Sequence, residues 1–231
     1  MKMIEWAIVI SMIIVCISCR GKTGDKEEVD IQMDKNEIPE RELSYDEYID
    51  ALKKMGAILP IKGAYITKND NLLPNAPRNY RCGSHEGFDF YNGFCGVKIE
   101  NGTPILAIAN GEIIRADTNY IDIEPEKREA LLKEVRNLGF TPDSTLDVLR
   151  GRQVWISHGN GIVTRYCHLS RISKGLKGKV TKGDIIGFVG GSGTKSKTPH
   201  LHFEIRLGKD FLGKGKTPEE IRDLVKEILR K

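Results

Sequence analysis

The chain has 231 residues, of which 39% are hydrophobic and 29% are charged. This length allows one ordinary domain with extra segments or two small domains, and the composition excludes a polytopic membrane protein and a wholly disordered chain. The formal net charge is +4, from 36 basic and 32 acidic residues. That balance argues against a protein that binds nucleic acid through phosphate contacts, whereas a mildly basic surface suits an anionic polymer.

Residues 1–18 are typical of a secretory signal peptide. Lys2 provides a positive charge, and residues 7–17 form an uncharged apolar stretch that is shorter than the roughly 20 residues of a membrane-spanning helix. Ser18 followed by Cys19 resembles the end of a bacterial lipoprotein signal, in which the cysteine carries the lipid. We therefore expect an exported lipoprotein, anchored to a membrane through Cys19 and facing the periplasm or cell wall. A plain signal peptide or a short uncleaved anchor is the alternative.

The next segments change from charged to helical. Residues 19–43 are dense in charge with scattered apolar residues, which predicts a flexible tether rather than a domain. A capping-box signature at Ser44, apolar residues at helical spacing and Gly56 predict a helix over 45–55. Residues 44–79 are thus expected to form an N-terminal helix and a following loop.

Short apolar runs broken by glycine-rich turns dominate residues 80–210. Such runs predict an antiparallel β-domain of the sandwich or barrel type. Asn110-Gly111 is a strong turn signal and predicts a hairpin between the runs 104–109 and 111–117. A second hairpin is predicted where the turn HGNG joins RQVWIS to IVTRYCHL.

Helical patterns interrupt and follow this β-region. Residues 126–138 have helical periodicity with Gly139 as a C-cap, and they lie within a predicted helical insertion over 119–151. The insertion is expected to form either a wall of the groove or a lid over it. Thr217 and the proline after it predict a C-terminal helix that begins at Pro218 and runs to about Arg230, within residues 211–231.

Two histidines lie in the segment TPHLHFEIRL, whose apolar and polar residues alternate with the period of a β-strand. This alternation puts His200 and His202 on one face of the strand, about 7 Å apart along the chain. Two imidazoles on a rigid face can hold a metal ion, or hold a metal ion and a reacting group together. The H-x-H pattern alone is only weakly indicative, because most such pairs are ordinary polar-face residues.

A second cluster, His85 and Asp89, combines an imidazole with a carboxylate four residues apart. Gly87 and the neighbouring aromatic residues predict a loop that runs into a strand, and such a loop can bring both groups to one ion. Neutral imidazole together with carboxylate suits zinc. His168 ends another predicted strand, where taken alone it is more typical of a structural histidine. His158 lies in a turn and is interpreted as structural.

Five motif blocks occur in a fixed order and are far more specific together than any one of them. They read H-x-G-x-D, S-H-G-x-G, T-x-Y-x-H-L, V-x-K-G-D-x-I-G-x-V-G-x-S-G and H-L-H-F-E. This set resembles the lysostaphin/LytM-type zinc metalloendopeptidases, which cut peptides of bacterial peptidoglycan. The resemblance covers about residues 80–118 and 152–207, and no position of the motif is lost.

By position, the resemblance implies that His85, Asp89 and His202 bind one Zn2+ per chain. It implies that His168 and His200 form the unliganded pair of the active site. Three protein ligands leave zinc an open position for water, whose pKa zinc lowers to about 7. The two unliganded imidazoles can take the proton of this water and stabilise the tetrahedral oxyanion, and which of them does which stays open.

The resemblance also implies the fold class, which is mainly β with an antiparallel sheet of the duplicated-hybrid-motif type, a helical insertion and flanking short helices. Residues 80–210 would form the zinc metallopeptidase domain. Tyr166 lies two residues before His168 and is expected on the same strand face, where it would support the site or simply face solvent. Cys82 and Cys95 either pair in an oxidising compartment or stay free.

We therefore predict a zinc-dependent endopeptidase that cleaves peptide cross-links of bacterial peptidoglycan by attack of a zinc-activated water. Its expected partners are peptidoglycan peptides and a membrane reached through the lipid anchor, with no nucleic acid. One alternative is a non-catalytic or autoinhibited cell-wall module that activates other hydrolases, with the insertion closing the groove. Another is a zinc peptidase that acts on proteins.

Overall fold

The computed structural model describes residues 42–230. The signal sequence 1–18, the lipidation site Cys19 and nearly all of the tether predicted for 19–43 therefore lie outside the described residues. Within the described range, no helix is both long enough and apolar enough to cross a membrane.

Short strands make up most of the regular structure between residues 42 and 230. The α-helices there are α1 (Tyr45–Met55), α2 (Pro125–Leu138), α3 (Asp143–Leu149) and α4 (Pro218–Ile228), and short 3-10 helices occupy Asp70–Leu72 and Asn79–Arg81. The strands are β1 (Ala57–Ile58), β2 (Pro77–Arg78), β3 (Gly83–Ser84), β4 (Phe88–Tyr91), β5 (Pro104–Leu106), β6 (Gly111–Ala116), β7 (Val154–Ser157), β8 (Ile162–Cys167), β9 (Arg171–Ile172), β10 (Lys179–Val180), β11 (Ile185–Phe188), β12 (His200–Leu207), β13 (Asp210–Phe211) and β14 (Leu229–Arg230).

The largest sheet has seven strands, and all of its pairings are antiparallel. Its order is β10-β6-β7-β8-β12-β13, and β4 also pairs with β12, on the edge that β8 leaves free. A second antiparallel sheet has the order β5-β11-β9. The fold is mainly antiparallel β-sheet with few helices, which confirms the predicted class.

Strand β12 runs through the centre of the hydrophobic core. Its apolar residues Leu201, Phe203 and Ile205 are at most 1% exposed. Burial of each such side chain contributes about 1.5–3 kcal/mol to folding. The polar residues between them point to the opposite face, as the strand period of two requires, and the candidate site lies on that face.

A hairpin joins β7 and β8, as the sequence predicts. Its turn is held by His158, whose Nδ1 lies 2.8 Å from the carbonyl oxygen of Asn110. The Nε2 of the same ring lies 2.9 Å from the hydroxyl of Thr164. Both ring nitrogens are used within the fold, which confirms the structural interpretation of His158.

The hairpin predicted at Asn110-Gly111 is wrong. Strand β5 pairs with β11 in the small sheet, whereas β6 pairs with β7 and β10 in the large one. The chain leaves the extended ladder after Leu106. The N–H of Ala107 then donates to Asp184, and that of Ile108 donates to the hydroxyl of Tyr166. Asn110-Gly111 breaks the strand as predicted, but long-range pairings decide which strands meet.

Helices α1 and α4 both begin with a capping box. The hydroxyl of the N-cap residue accepts from the backbone N–H of a glutamate three residues later, and the carboxylate of that glutamate accepts from the backbone N–H of the N-cap residue. Helix α1 has the predicted bounds. Helix α4 begins at the predicted Pro218 but ends at Ile228, before the expected Arg230. The reason is that Leu229 becomes extended and pairs in parallel with Ala57.

The insertion predicted over 119–151 contains α2 and α3, and it lies between β6 and β7. Gly139 caps α2 with a φ of 74°, a left-handed conformation that favours glycine. Because β6 and β7 pair directly with each other, the insertion leaves the large sheet unbroken.

The cysteines at 82, 95 and 167 are free thiols in the structure. Of the two alternatives for Cys82 and Cys95, the structure therefore has the unpaired one. Cys167 is fully buried, and burial raises the pKa of this thiol well above its ordinary value. A buried neutral thiol is an unreactive one.

Gly87 marks the closest approach of the loop before β4 to strand β12. A Cβ atom at this position would lie 2.3 Å from the carbonyl oxygen of Phe203. We expect Gly87→Ala to push β4 away from β12 and to lower the free energy of unfolding by about 1–3 kcal/mol, measured by denaturant titration. Ser84→Ala, at an exposed position nearby, is the control. Equal stabilities of the two variants would contradict this role of Gly87.

Candidate metal centre

Strand pairing brings the predicted site residues together. In the ladder between β4 and β12, Asp89 lies directly opposite His202. His85 comes from the loop before β4, and its backbone N–H donates to the carbonyl of Ala76. His168 follows β8 with a φ of 65°, a left-handed conformation that takes it out of the strand. Its ring centroid lies 5.8 Å from that of His202.

Three ligand atoms converge at one point on the polar face of β12. Nε2 of His85, Oδ1 of Asp89 and Nδ1 of His202 lie 2.9 Å from one another in all three pairs. All three side chains are buried, with at most 8% of each residue exposed. Two imidazole nitrogens and one carboxylate oxygen are a donor set that suits zinc.

The outward-facing atom of each of these side chains has its own partner. Nδ1 of His85 lies 2.9 Å from the carbonyl oxygen of Leu73, and Nε2 of His202 lies 2.9 Å from Glu204. Both partners accept only, so these ring nitrogens carry the protons. Oδ2 of Asp89 accepts from Arg78 at 3.1 Å. The inward atoms are therefore left with lone pairs that point at one another.

Converging lone pairs at this distance require a positive charge between them. A cation supplies it, and otherwise an imidazole must take up a proton. Burial disfavours the imidazolium of His202, but hydrogen bonds to Asp89 and Glu204 outweigh burial and raise the pKa of His202. Burial alone would raise the pKa of Asp89, because it disfavours the carboxylate. His85 and His202 outweigh this effect and lower the pKa of Asp89 well below its ordinary range. The donor set and its outer contacts fit a divalent metal ion.

The two remaining predicted residues form a separate pair beside this cluster. The ring centroids of His168 and His200 lie 4.6 Å apart. Nδ1 of His168 donates to the carbonyl of Ser192 and Nδ1 of His200 to that of Thr198, each at 2.9 Å. Each ring therefore keeps an unprotonated Nε2. Burial lowers the pKa of both, and neighbouring imidazoles lower the pKa of His168 further.

His200 is also fixed by an aromatic neighbour. Its ring stacks on Tyr91, with centroids 4.2 Å apart and planes tilted by 8°. The two residues are cross-strand partners in the ladder between β12 and β4. The stack limits rotation of the imidazole, so its Nε2 keeps one direction.

Glu204 is a fully buried carboxylate that accepts a hydrogen bond from Nε2 of His202, the ring nitrogen that points away from the cluster. Burial would raise the pKa of Glu204, but Arg150 and His202 lower it far below its ordinary value. Nε of Arg150 donates to Oε1 of Glu204 at 2.7 Å, and Arg206 approaches the other oxygen at 3.4 Å. Glu204 is therefore an anion, which keeps the proton of His202 on Nε2.

Arg150 belongs to the insertion and contacts both halves of the site. Its side chain reaches Glu204, and its carbonyl oxygen accepts the backbone N–H of His168 at 2.9 Å. The same guanidinium donates to Glu86 at 2.8 Å. Arg150 thus positions Glu204, which is the partner of the candidate ligand His202, and also the backbone of His168.

A cleft of about 720 Å³ opens beside the imidazoles. The convergent cluster and the pair His168 and His200 line it on one side. The insertion lines the other side through Arg128 and Leu132 of α2 and Leu146 of α3. Of the two roles expected for residues 119–151, the structure shows a wall of the cleft.

Tyr166 does not lie on the face of His168, so that expectation is wrong. Its ring is fully buried and packs on Phe203, with centroids 5.2 Å apart. Its hydroxyl accepts from the backbone N–H of Ile108 at 3.1 Å and from the hydroxyl of Thr164 at 3.3 Å. Tyr166 faces the core with Ile162 and Thr164, as the alternation of β8 requires. It does not share a face with His168 because His168 has already left the strand, where the period of two no longer applies.

Four residues that support the site were not assigned a role from the sequence. The period of two could have found Glu204, which shares its face with His200 and His202 in one strand. Strand pairing could likewise have placed Tyr91, two residues beyond Asp89. Nothing in the spacing points to the other two, Arg78 and Arg150.

Comparison with known proteins finds matches to part of the chain. Residues 141–214 match the model of peptidase family M23. The DD-carboxypeptidase/endopeptidase Mpg of Neisseria meningitidis is 49% identical over 57 residues, which are 25% of this chain and 13% of that protein. The peptidoglycan DD-endopeptidase ShyA of Vibrio cholerae is 27% identical over 162 residues, 70% of this chain and 29% of that protein. The chain thus spans less than a third of the length of either relative.

Among solved structures, a putative glycyl-glycine endopeptidase lytM from Ruminococcus gnavus aligns with a TM-score of 0.45 and 18% identity, covering 78% of this chain and 64% of that one. The matched segment 141–214 contains His168, His200 and His202, while His85 and Asp89 precede it. Residues 141–214 of this chain are therefore similar to peptidase family M23.

Proposed function

We propose that this protein is a zinc-dependent endopeptidase that cleaves the peptide cross-links of bacterial peptidoglycan. One observation carries the proposal. Three lone-pair atoms of His85, Asp89 and His202 converge on a cleft in which His168 and His200 each present a free Nε2. The name of the relative from Vibrio cholerae supports peptidoglycan as the substrate class.

The convergent cluster would hold the metal ion. His85, Asp89 and His202 give three protein ligands, the number typical of catalytic zinc sites, whereas structural sites use four. When bound, zinc supplies Lewis acidity that activates water and polarises a carbonyl group. Glu204 and the carbonyl of Leu73 orient the two imidazole ligands.

His168 and His200 would move the protons. Each neutral ring can accept a proton at Nε2, since its Nδ1 proton is committed to a backbone carbonyl. The protonated ring can then donate from Nε2 to the developing oxyanion or to the leaving amine. The carbonyl oxygens of Ser192 and Thr198 stabilise the positive charge of the imidazolium.

The cleft supports an enzyme over the alternative of a closed regulatory module. The insertion forms one side of an open cleft of about 720 Å³, and the predicted site residues line it. Export and the lipid anchor at Cys19 remain part of the proposal, and the sequence of residues 1–19 supports them. An anchored enzyme with a tether suits a substrate in the nearby wall.

We expect the protein to release peptide-cleaved fragments from purified peptidoglycan. Release should stop in the presence of a chelator and return when zinc is added in excess, because the water is activated only by bound metal. Mass spectrometry of the soluble fragments identifies the bond that is cut. A folded, zinc-loaded protein that releases no fragment would contradict the proposal.

Substitutions should separate metal binding from proton transfer. Asp89→Ala should abolish both zinc content and cleavage, because it removes a ligand atom. His168→Ala should retain about one zinc per chain and lose cleavage by about 10²–10⁴-fold, because it removes only a proton carrier. Zinc content by atomic emission and cleavage rates test this, and loss of zinc from His168→Ala would show that its role is misassigned.

Glu204→Gln should weaken zinc binding by about 10- to 100-fold. The amide no longer enforces the His202 tautomer that leaves Nδ1 free for the metal. Competition with a chromophoric chelator measures the affinity, and Glu112→Gln, at an exposed position of the same sheet, is the control. Equal zinc affinities of the two variants would rule out the orienting role of Glu204.

A further inference from the structure

The insertion side of the cleft contains an arginine that forms no ion pair within residues 42–230, although Glu86 lies close enough to favour its charged form. Arg81 is 6% exposed and lines the cleft. Its side chain donates to the backbone carbonyl of Ser84, and it forms no ion pair with any residue in the described part of the chain. Burial lowers the pKa of this guanidinium. By contrast, the cleft residues Arg78 and Arg150 are each paired with a buried carboxylate.

Helix α2 adds two further arginines to the same side. Arg128 is 8% exposed and donates to the carbonyl of Gly193 at 3.3 Å. Its nearest carboxylate, at 3.7 Å, is the half-exposed Glu129, which lies at the same distance from Lys195. Arg136 follows two helical turns later, is exposed, and has no ion pair within residues 42–230. The spacing of eight residues keeps both arginines on one helix face.

A buried cation without a counter-ion is costly to the folded state. Such an arrangement in an open cleft is typical of a binding site in which the ligand supplies the missing charge. A guanidinium presents its N–H groups as a planar fork that matches the two oxygens of a carboxylate. Leu132, between the two arginines on α2, offers an apolar surface for the aliphatic part of a peptide.

We propose that Arg81, Arg128 and Arg136 form a subsite for a free carboxylate of the substrate peptide. The enzyme would then prefer cross-links whose diamino acid carries a free carboxylate over cross-links in which this group is amidated. This inference rests on the proposed peptidase function and names its substrate class. Two of the three arginines lie on helix α2 of the insertion, and Arg81 lies in the 3-10 helix that contacts α2. None of the three is a candidate metal ligand.

The test uses two cross-linked stem peptides that differ only in one group, a free carboxylate or its carboxamide on the diamino acid. Calorimetry with the chelator-treated protein measures binding without cleavage, and zinc-loaded protein gives kcat and KM. We expect the acid to bind at least about tenfold more tightly, with the difference in KM rather than kcat. Arg81→Gln and Arg128→Gln should remove most of this preference, and Arg136→Gln should reduce it. Lys133→Gln, on an exposed part of α2 outside the cleft, should retain it.

The outcomes separate this inference from the proposed function. Equal binding of the two peptides would overturn the subsite, as would a preference that survives the arginine substitutions. Preferred binding of the acid without cleavage by zinc-loaded protein would refute the endopeptidase and leave the subsite standing. If Arg81→Gln fails to fold, Arg136→Gln still decides, because the Arg136 side chain is exposed and forms no hydrogen bond or ion pair within residues 42–230.

Discussion

The pairing of β4 with β12 is the constraint on which the whole site depends. It sets Asp89 opposite His202 and holds the loop of His85 against the same strand. This close approach leaves no space for a side chain at Gly87. Asp89 and His202 belong to paired strands, and the loop of His85 is held by a backbone hydrogen bond to Ala76. Backbone hydrogen bonds therefore maintain the convergence of the three side chains, and a preorganised metal site needs that rigidity.

The second constraint is electrostatic. Glu204 is fully buried, and a buried carboxylate is tolerated only when cations and hydrogen bonds compensate for lost solvation. Arg150 and Arg206 provide that compensation, and His202 completes it. The negative charge of Glu204 orients the imidazole of His202, and the arginines that neutralise this charge also stabilise the fold. The geometry of the site and the stability of the chain therefore depend on the same residues.

The sequence predicts most of the residues at the centre and little of their surroundings. The five spaced blocks and the strand period point to the ligand set, and capping signals define α1 and α2 almost to the residue. Strand partners were harder to predict. The turn signal at Asn110 predicts where a strand ends. It does not predict that β5 pairs with β11, which lies far along the chain. Tyr166 was assigned to the wrong face because His168 leaves the strand. Arg81 was missed because its surroundings are assembled from distant segments.

Arg150 limits how the insertion can vary in length. Residues up to 149 shape the wall of the cleft and join two strands that pair without them. Arg150, in contrast, supports Glu204 and the backbone of His168. A shortened or exchanged insertion is therefore expected to preserve the candidate metal centre only when the exchanged segment ends before this residue. The insertion thus has a fixed boundary at Arg150, before which its length and sequence can change the wall of the cleft while the candidate metal centre is retained.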